Sequence, residues 1–197
     1  MKDFFYIIIG AVLVNNVVMV KGLGICPLFG QGNDSRAVHG LSASVLLIML
    51  LSTACAWPVY RILLVPFGID YMETIVFVLI IAGLVQLAEI LIERFLPGLR
   101  GKLGIYLPLT ASNCAVLGLL EQNITAGRDL AYSMISALGT GLGFWLVMFL
   151  FEGIRSRVDA ADIPESFRGT ASYLIAASIM GLSFMGLTGL LDGLFGM

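Results

Sequence analysis

Six apolar runs follow one another along this chain, at roughly 4–22, 38–58, 71–93, 103–121, 130–154 and 170–191, each close to the roughly 20 residues a helix needs to cross a bilayer. The connections between them are too short to fold into a domain outside the membrane. With 59% of its 197 residues hydrophobic, 12% charged and a mean hydropathy of +0.99, the chain carries more apolar surface than a water-soluble core of this size can bury. A backbone in hydrocarbon must satisfy its own polar groups, so the spanning elements are expected to be helices. The sequence predicts an all-α integral membrane protein, a single transmembrane domain over residues 1–197, with membrane lipid around it.

A net charge of −2 without any block of like charge leaves no electrostatic footprint for nucleic acid, which is excluded as a partner. No glycine-rich phosphate loop follows a strand, so this chain is expected to bind neither flavin nor nucleotide. The Gly139, Gly141 and Gly143 spacing lies inside an apolar run and reads as small residues that let helices approach. Lys2 and the run Phe4 to Val14 have the look of a signal peptide. Asp3 spoils the basic start, however, no small-x-small cleavage site follows, and Asn15 and Asn16 interrupt the apolar stretch, so the segment is read as the first span.

Two of the six runs are broken. Gly22 to Gly30 (GLGICPLFG) and Thr110 to Gly118 (TASNCAVLG) each gather small residues, a helix breaker or amide and one cysteine; Pro108, Ser112 and Asn113 mark the second break. A shift of 97 residues lays span two on span five, span three on span six and Asn16 on Asn113. With three spans per half, such a repeat is inverted in the membrane, repeat one covering about 1–94 and repeat two about 102–197. The expected fold is therefore six transmembrane helices as two inverted three-helix repeats, with helices one and four broken or half-spanning. Inverted repeats broken at matching places point to a site near the midplane. The cysteines Cys26 and Cys114, by contrast, align only under a shift of 88. On a straight helix Cys26 would stand about 15 Å beyond Asn16. It reaches the midplane only if the chain breaks near Gly22 and does not continue outward, and that break is expected.

The three cysteines, Cys26, Cys55 and Cys114, lack the C-x-x-C spacing of a zinc site or of a disulfide framework. Cys55, in the uninterrupted stretch TACAW, reads as a small buried hydrophobe. Cys26 and Cys114 sit beside breakers such as Gly22 and Gly24 that free backbone N–H groups able to bond a thiolate or a cluster sulfur; the same two residues also fit simple burial. Iron–sulfur clusters generally take four protein ligands, so two cysteines amount to half a site. Asn16 and Asn113 either cap broken helix ends or face a polar cavity. Glu89, deep in span three, is a candidate for ion or proton passage with Lys21 as a counter-ion, and a structural ion pair is the equal alternative. His39 is read as an interfacial residue.

With LVNNVVMVKGLGICPLFG at 13–30, LGIYLPLTASNCAVLG at 103–118 and FRGTASYLIAASIMGLSFMGLTGL at 167–190, nearly the whole chain resembles the A-subunit family of the Rnf ion-translocating ferredoxin:NAD oxidoreductase complexes. A related subunit of the sodium-pumping NADH:quinone reductase shares the LG-x-C and NCA elements, whereas the double asparagine followed by VVMVK resembles the Rnf branch. The resemblance implies a bacterial cytoplasmic-membrane protein that pairs with the homologous, oppositely oriented E subunit, working beside the B, C, D and G subunits. It further implies that cysteines of the pair hold one [2Fe–2S] cluster, Cys26 and Cys114 being the ligands from this chain, with electron flow coupled to movement of Na⁺ or H⁺. The family pattern usually reads T-N-C at the second site; here Ser112 precedes Asn113, which leaves the ligand in place. A secondary transporter built from inverted repeats, without a redox centre, is the alternative; Asn16, Asn113 and Glu89 would then line its substrate path.

Orientation follows from the basic residues. Arg36, Arg94, Arg100, Lys102, Arg155, Arg157 and Arg168 fall in loops on one side, against Lys2, Arg61 and Arg128 on the other. Positive-inside bias then places both termini on the non-cytoplasmic side. A topology reporter fused after Met197 should accordingly report the non-cytoplasmic side, and one inserted in the 153–169 loop the cytoplasmic side; the reverse labelling would refute the assignment.

Overall fold

The computed structural model describes residues 12, 16–30, 35–64, 66, 72–95, 113–164, 167 and 169–195. Among these residues the chain is all-helical, without a strand. A short helix α1 (Cys26–Gly30) precedes α2 (Ser35–Val59), which continues as a π-helical turn over Tyr60–Leu64. Then come α3 (Glu73–Phe95), α4 (Cys114–Thr125), α5 (Leu130–Asp159) and α6 (Thr170–Phe195).

Among the described residues two stretches are long and apolar enough to cross a membrane, Val38–Ile62 with 25 residues and Leu130–Asp159 with 30; Glu73–Leu87 and Thr170–Gly186 are shorter apolar segments. At 1.5 Å per residue the two long ones measure about 38 and 45 Å, more than a hydrocarbon core of about 30 Å. They also pack on each other more extensively than any other pair of elements. Val45, Ile48 and Met49 of α2 meet Phe144, Val147 and Met148 of α5 in a core that Phe77, Ile81 and Val85 of α3 and Val116 and Leu119 of α4 complete. The outer surface is equally apolar. Leu79 is 71% exposed, Leu182 68% and Ile179 60%, and every long helix carries such residues on its outward side. A surface of this kind is costly in water and matched by lipid.

Small residues set how closely these helices approach. Gly141 of α5 faces Leu46 of α2, and a Cβ at Gly143 would stand 3.2 Å from both the Val12 Cα and the Asn16 Nδ2. Pro58, in the last turn of α2, lacks the N–H that an α-helical ladder needs there, and the π-helical turn follows directly after it. Contacts also sort the loops between two ends of the bundle. At one end the Trp57 indole donates to the Arg128 carbonyl (3.1 Å). At the other, Phe29 of α1 meets Phe151 edge-on with ring centres 6.1 Å apart, Trp145 donates to His39 Nδ1 (3.0 Å), and the Arg155 guanidinium lies 4.4 Å from the Tyr173 ring centre.

Observed boundaries depart from the apolar runs in instructive ways. The first run does not stay helical to residue 22, because Asn16 to Gly24 form turns; most of 4–15, Asn15 included, lies outside the described residues. Residues 103–112, with Pro108 and Ser112, also lie outside them, and α4 extends past 121 to Thr125. Helix α5 runs beyond 154 to Asp159, where its carboxylate accepts the Tyr173 hydroxyl of α6. Two glycines of α5 test this packing. Gly143→Ala should lower stability by about 1–3 kcal/mol, because backbone has to yield. Gly153→Ala, where a Cβ meets nothing within 4 Å, should be neutral or stabilising by up to about 1 kcal/mol. Thermal unfolding of the detergent-solubilised protein reads both.

Candidate functional site

The asparagines build the site's frame. Asn16, only 1% exposed, accepts at Oδ1 from the backbone N–H of Val18 (3.1 Å) and Met19 (3.3 Å) and donates from Nδ2 to the carbonyls of Val12 (2.9 Å) and Gly143 (3.2 Å). Its full hydrogen-bonding capacity is therefore used inside the chain. Asn113, 3% exposed, is the N-cap of α4: its backbone is extended at φ −78°, ψ 106°, and its Oδ1 accepts from Ala115 N–H (3.1 Å). Val18 and Ala115 correspond under the 97-residue shift, so the two asparagines make the same side-chain bond to the second residue after them.

Beyond that bond the halves differ. After Asn113 the chain proceeds directly into α4 with Cys114 as its first residue. After Asn16 only one turn forms, closed by Val20 N–H to the Asn16 carbonyl (2.9 Å) and Leu23 N–H to the Val17 carbonyl (3.1 Å). Gly22 (φ 67°) and Gly24 (φ 82°) then redirect the backbone through left-handed conformations that side chains with a Cβ rarely adopt, and α1 starts at Cys26. Pro27, in the first turn of α1, loses nothing by lacking an N–H there.

This redirection brings the two cysteine-bearing elements together. A Cβ on Gly24 would stand 2.7 Å from Asn113 Oδ1, 2.9 Å from the Ala115 Cβ and 3.5 Å from the Phe144 ring, and one on Gly118 would overlap Leu23. Gly24, two residues before Cys26, thus lies against both chain neighbours of Cys114. Phe144 stands about halfway along α5, one residue before the Trp145 that meets His39 near the start of α2. The break expected near Gly22 is present: turns and two left-handed glycines separate Asn16 from Cys26, whereas Cys114 follows Asn113 directly.

Cys26 is exposed and Cys114 half-buried; both are free thiols. In the first turn of α4 the Ala115 N–H is taken by Asn113 Oδ1 and the Val116 N–H by the Asn113 carbonyl (3.1 Å each). Asn113 Nδ2 is buried and has no hydrogen-bond partner, an orphaned donor in the residue before Cys114. Cys55 is exposed on α2, away from the interior place expected for it. Among the described residues no three His, Cys, Asp or Glu side chains gather in a way that could hold a metal ion. Lys21 donates to the Gln122 Oε1 of α4 (3.1 Å). Glu89 lies on α3, and its side chain is outside the described residues. Sequence reasoning missed α1 itself and the Lys21–Gln122 link, since neither a five-residue helix nor a pair so far apart in the chain leaves a periodic signal.

The profile of the family described as "Rnf-Nqr subunit, membrane protein" matches residues 4–191. The A subunit of the ion-translocating oxidoreductase complex of Syntrophotalea carbinolica is 42% identical over 193 residues, covering 98% of this chain and all of the relative. The proteins of the same description from Hahella chejuensis (41% over 192 residues, 98% of this chain, all of the relative) and Edwardsiella ictaluri (40% over 190 residues, 96% of this chain, 98% of the relative) are similar to the same extent.

The two glycines of the redirection should differ in tolerance. Alanine at position 22 meets only strain, about 1–2 kcal/mol. Alanine at position 24 meets the same strain and also the Asn113 and Ala115 side chains, adding about 1–3 kcal/mol. Thermal unfolding of the two variants measures the gap, and equal costs would show that space at Gly24 is not limiting.

Proposed function

The chain belongs to the Rnf-Nqr family of membrane subunits, and from that premise we propose that it is the A subunit of an ion-translocating oxidoreductase complex and passes electrons through the membrane at a [2Fe–2S] cluster shared with a homologous E subunit. The observation that carries this reading is the half-site: Cys26 and Cys114 each begin a helix, and Gly24 joins their surroundings. Two thiols are half of what such a cluster takes, and among the described residues no group of three His, Cys, Asp or Glu side chains gathers. Cys26 is exposed, which is what a ligand shared with a second polypeptide requires. The orphaned Asn113 Nδ2 is the kind of donor that an anionic sulfur would satisfy.

In this reading Cys26 and Cys114 hold the group, which supplies one-electron transfer when bound. Gly22 and Gly24 give Cys26 its position, Asn16 pins the preceding turn to α5, and Asn113 fixes the start of α4. Ala115 and Phe144 crowd water away from the contact beneath. The described part of the chain fits a wider arrangement of six spans in two inverted repeats, about 1–94 and 102–197, with both termini outside the cytoplasm. The shared asparagine geometry supports the repeat. Glu89 on α3 and Lys21 are the groups of this chain assigned to passage of Na⁺ or H⁺, and flavins, nucleotide and other clusters are assigned to the B, C, D and G subunits. A transporter path along Asn16 has less support, because all four of its hydrogen bonds stay within the chain.

The test is electron paramagnetic resonance with iron and sulfide analysis on the coexpressed A/E pair. The reduced pair should show one [2Fe–2S] signal. Cys26→Ser and Cys114→Ser should each abolish or reshape it, while Cys55→Ser leaves it intact. This chain expressed alone should hold no stable cluster; stoichiometric iron in the lone monomer would sink the shared-site reading.

A further inference from the structure

At the bundle end where α2 gives way to its π-helical turn and α4 joins α5, a cavity of about 260 Å³ opens between Trp57, Tyr60, Arg61, Ile124, Gly127 and Arg128. It brings two guanidinium groups from distant parts of the chain to one opening. The Arg61 guanidinium lies 5.6 Å from the Trp57 ring centre. Arg128, half-buried, is held by neutral acceptors only: its Nη1 donates to Asn123 Oδ1 (3.1 Å) and to Ser136 Oγ (3.0 Å), while its carbonyl accepts the Trp57 indole. Glu121 and Asp129 are the nearest acidic residues in sequence to Arg128, both exposed, and among the described residues neither meets either guanidinium as an ion pair.

This arrangement orients two positive charges without neutralising them. A guanidinium is a planar fork of five donors, of which Arg128 commits one nitrogen to its neutral partners, and the fork matches the oxygens of phosphate. Depth narrows the choice of anion. Arg61 is the penultimate residue of the apolar stretch Val38–Ile62, and Arg128 lies two residues before α5 begins, so the cavity stands where both long helices leave the hydrocarbon. Trp57 and Tyr60 have the amphipathic character typical of that level. Lipid phosphates lie there in either leaflet, and two guanidinium groups between membrane helices match an anionic headgroup. A water takes about 30 Å³, so the cavity has room for a phosphodiester with its glycerol.

We propose that the Trp57–Tyr60–Arg61–Arg128 cavity is a phosphate site occupied by the headgroup of an anionic phospholipid. Native mass spectrometry of the intact complex, titrated with phosphatidylglycerol against an equal amount of phosphatidylcholine, tests it. One phosphatidylglycerol should be retained selectively. Arg61→Gln, at an exposed position, should weaken that site about fivefold while leaving the complex assembled. Arg128→Lys, which keeps the charge and loses the fork, should weaken it as well. Wild-type retention in both variants, or no selective retention by the intact complex, overturns the proposal. Millimolar inorganic phosphate is the third arm: failure to displace the lipid supports a headgroup site, whereas displacement makes it a site for free phosphate and overturns the lipid assignment.

Discussion

A helix that begins inside an apolar bundle depends on one hydrogen bond, from the Ala115 N–H to Asn113 Oδ1. The first N–H groups of any helix lack intrahelical partners, and in hydrocarbon no water replaces them. Asn113 supplies an acceptor without bringing a charge, and its extended backbone lets the chain arrive from another direction. Around that start the rest is fixed: Gly24 must lack a side chain because Asn113 Oδ1 occupies the space, Leu23 fills the notch at Gly118, and Phe144 closes the contact from α5. The positions of both cysteines therefore follow from a cap and a glycine.

Much of this was readable in advance, for identifiable reasons. Long apolar runs report helices α2, α3, α5 and α6 because burial in lipid and helix formation favour the same residues. Gly22, Gly24 and the asparagines signalled a break because each is costly in a continuous membrane helix. Pro27 is not a further break, since it sits in the first turn of the new helix α1. Helix ends were misjudged where tertiary contacts extend them, as where the Tyr173 hydroxyl reaches Asp159. The Arg61–Arg128 cavity left no trace, since its two walls come from segments that hydropathy treats as unrelated loop ends.

Packing in this molecule does not separate an oily inside from a polar outside. Leu79 and Leu182 on the surface are as apolar as Leu41 and Leu119 in the core. What distinguishes the interior is its fit and its polar content: Gly141 and Gly143 admit Leu46 and the Val12 backbone, and Asn16, Asn113 and Thr53 are buried with bonds to the main chain. Close approach and satisfied amides, more than hydrophobicity, decide which faces meet.

The unequal helices that carry them leave the two thiols mechanically different. Cys114 stands on a twelve-residue helix packed against α2, α3 and α5, and any displacement of its sulfur has to move that whole element. Cys26 stands on a five-residue helix that follows two left-handed glycines, a short lever on a jointed support. A force on Cys114 thus meets the whole bundle, whereas one on Cys26 is taken up by the shorter arm.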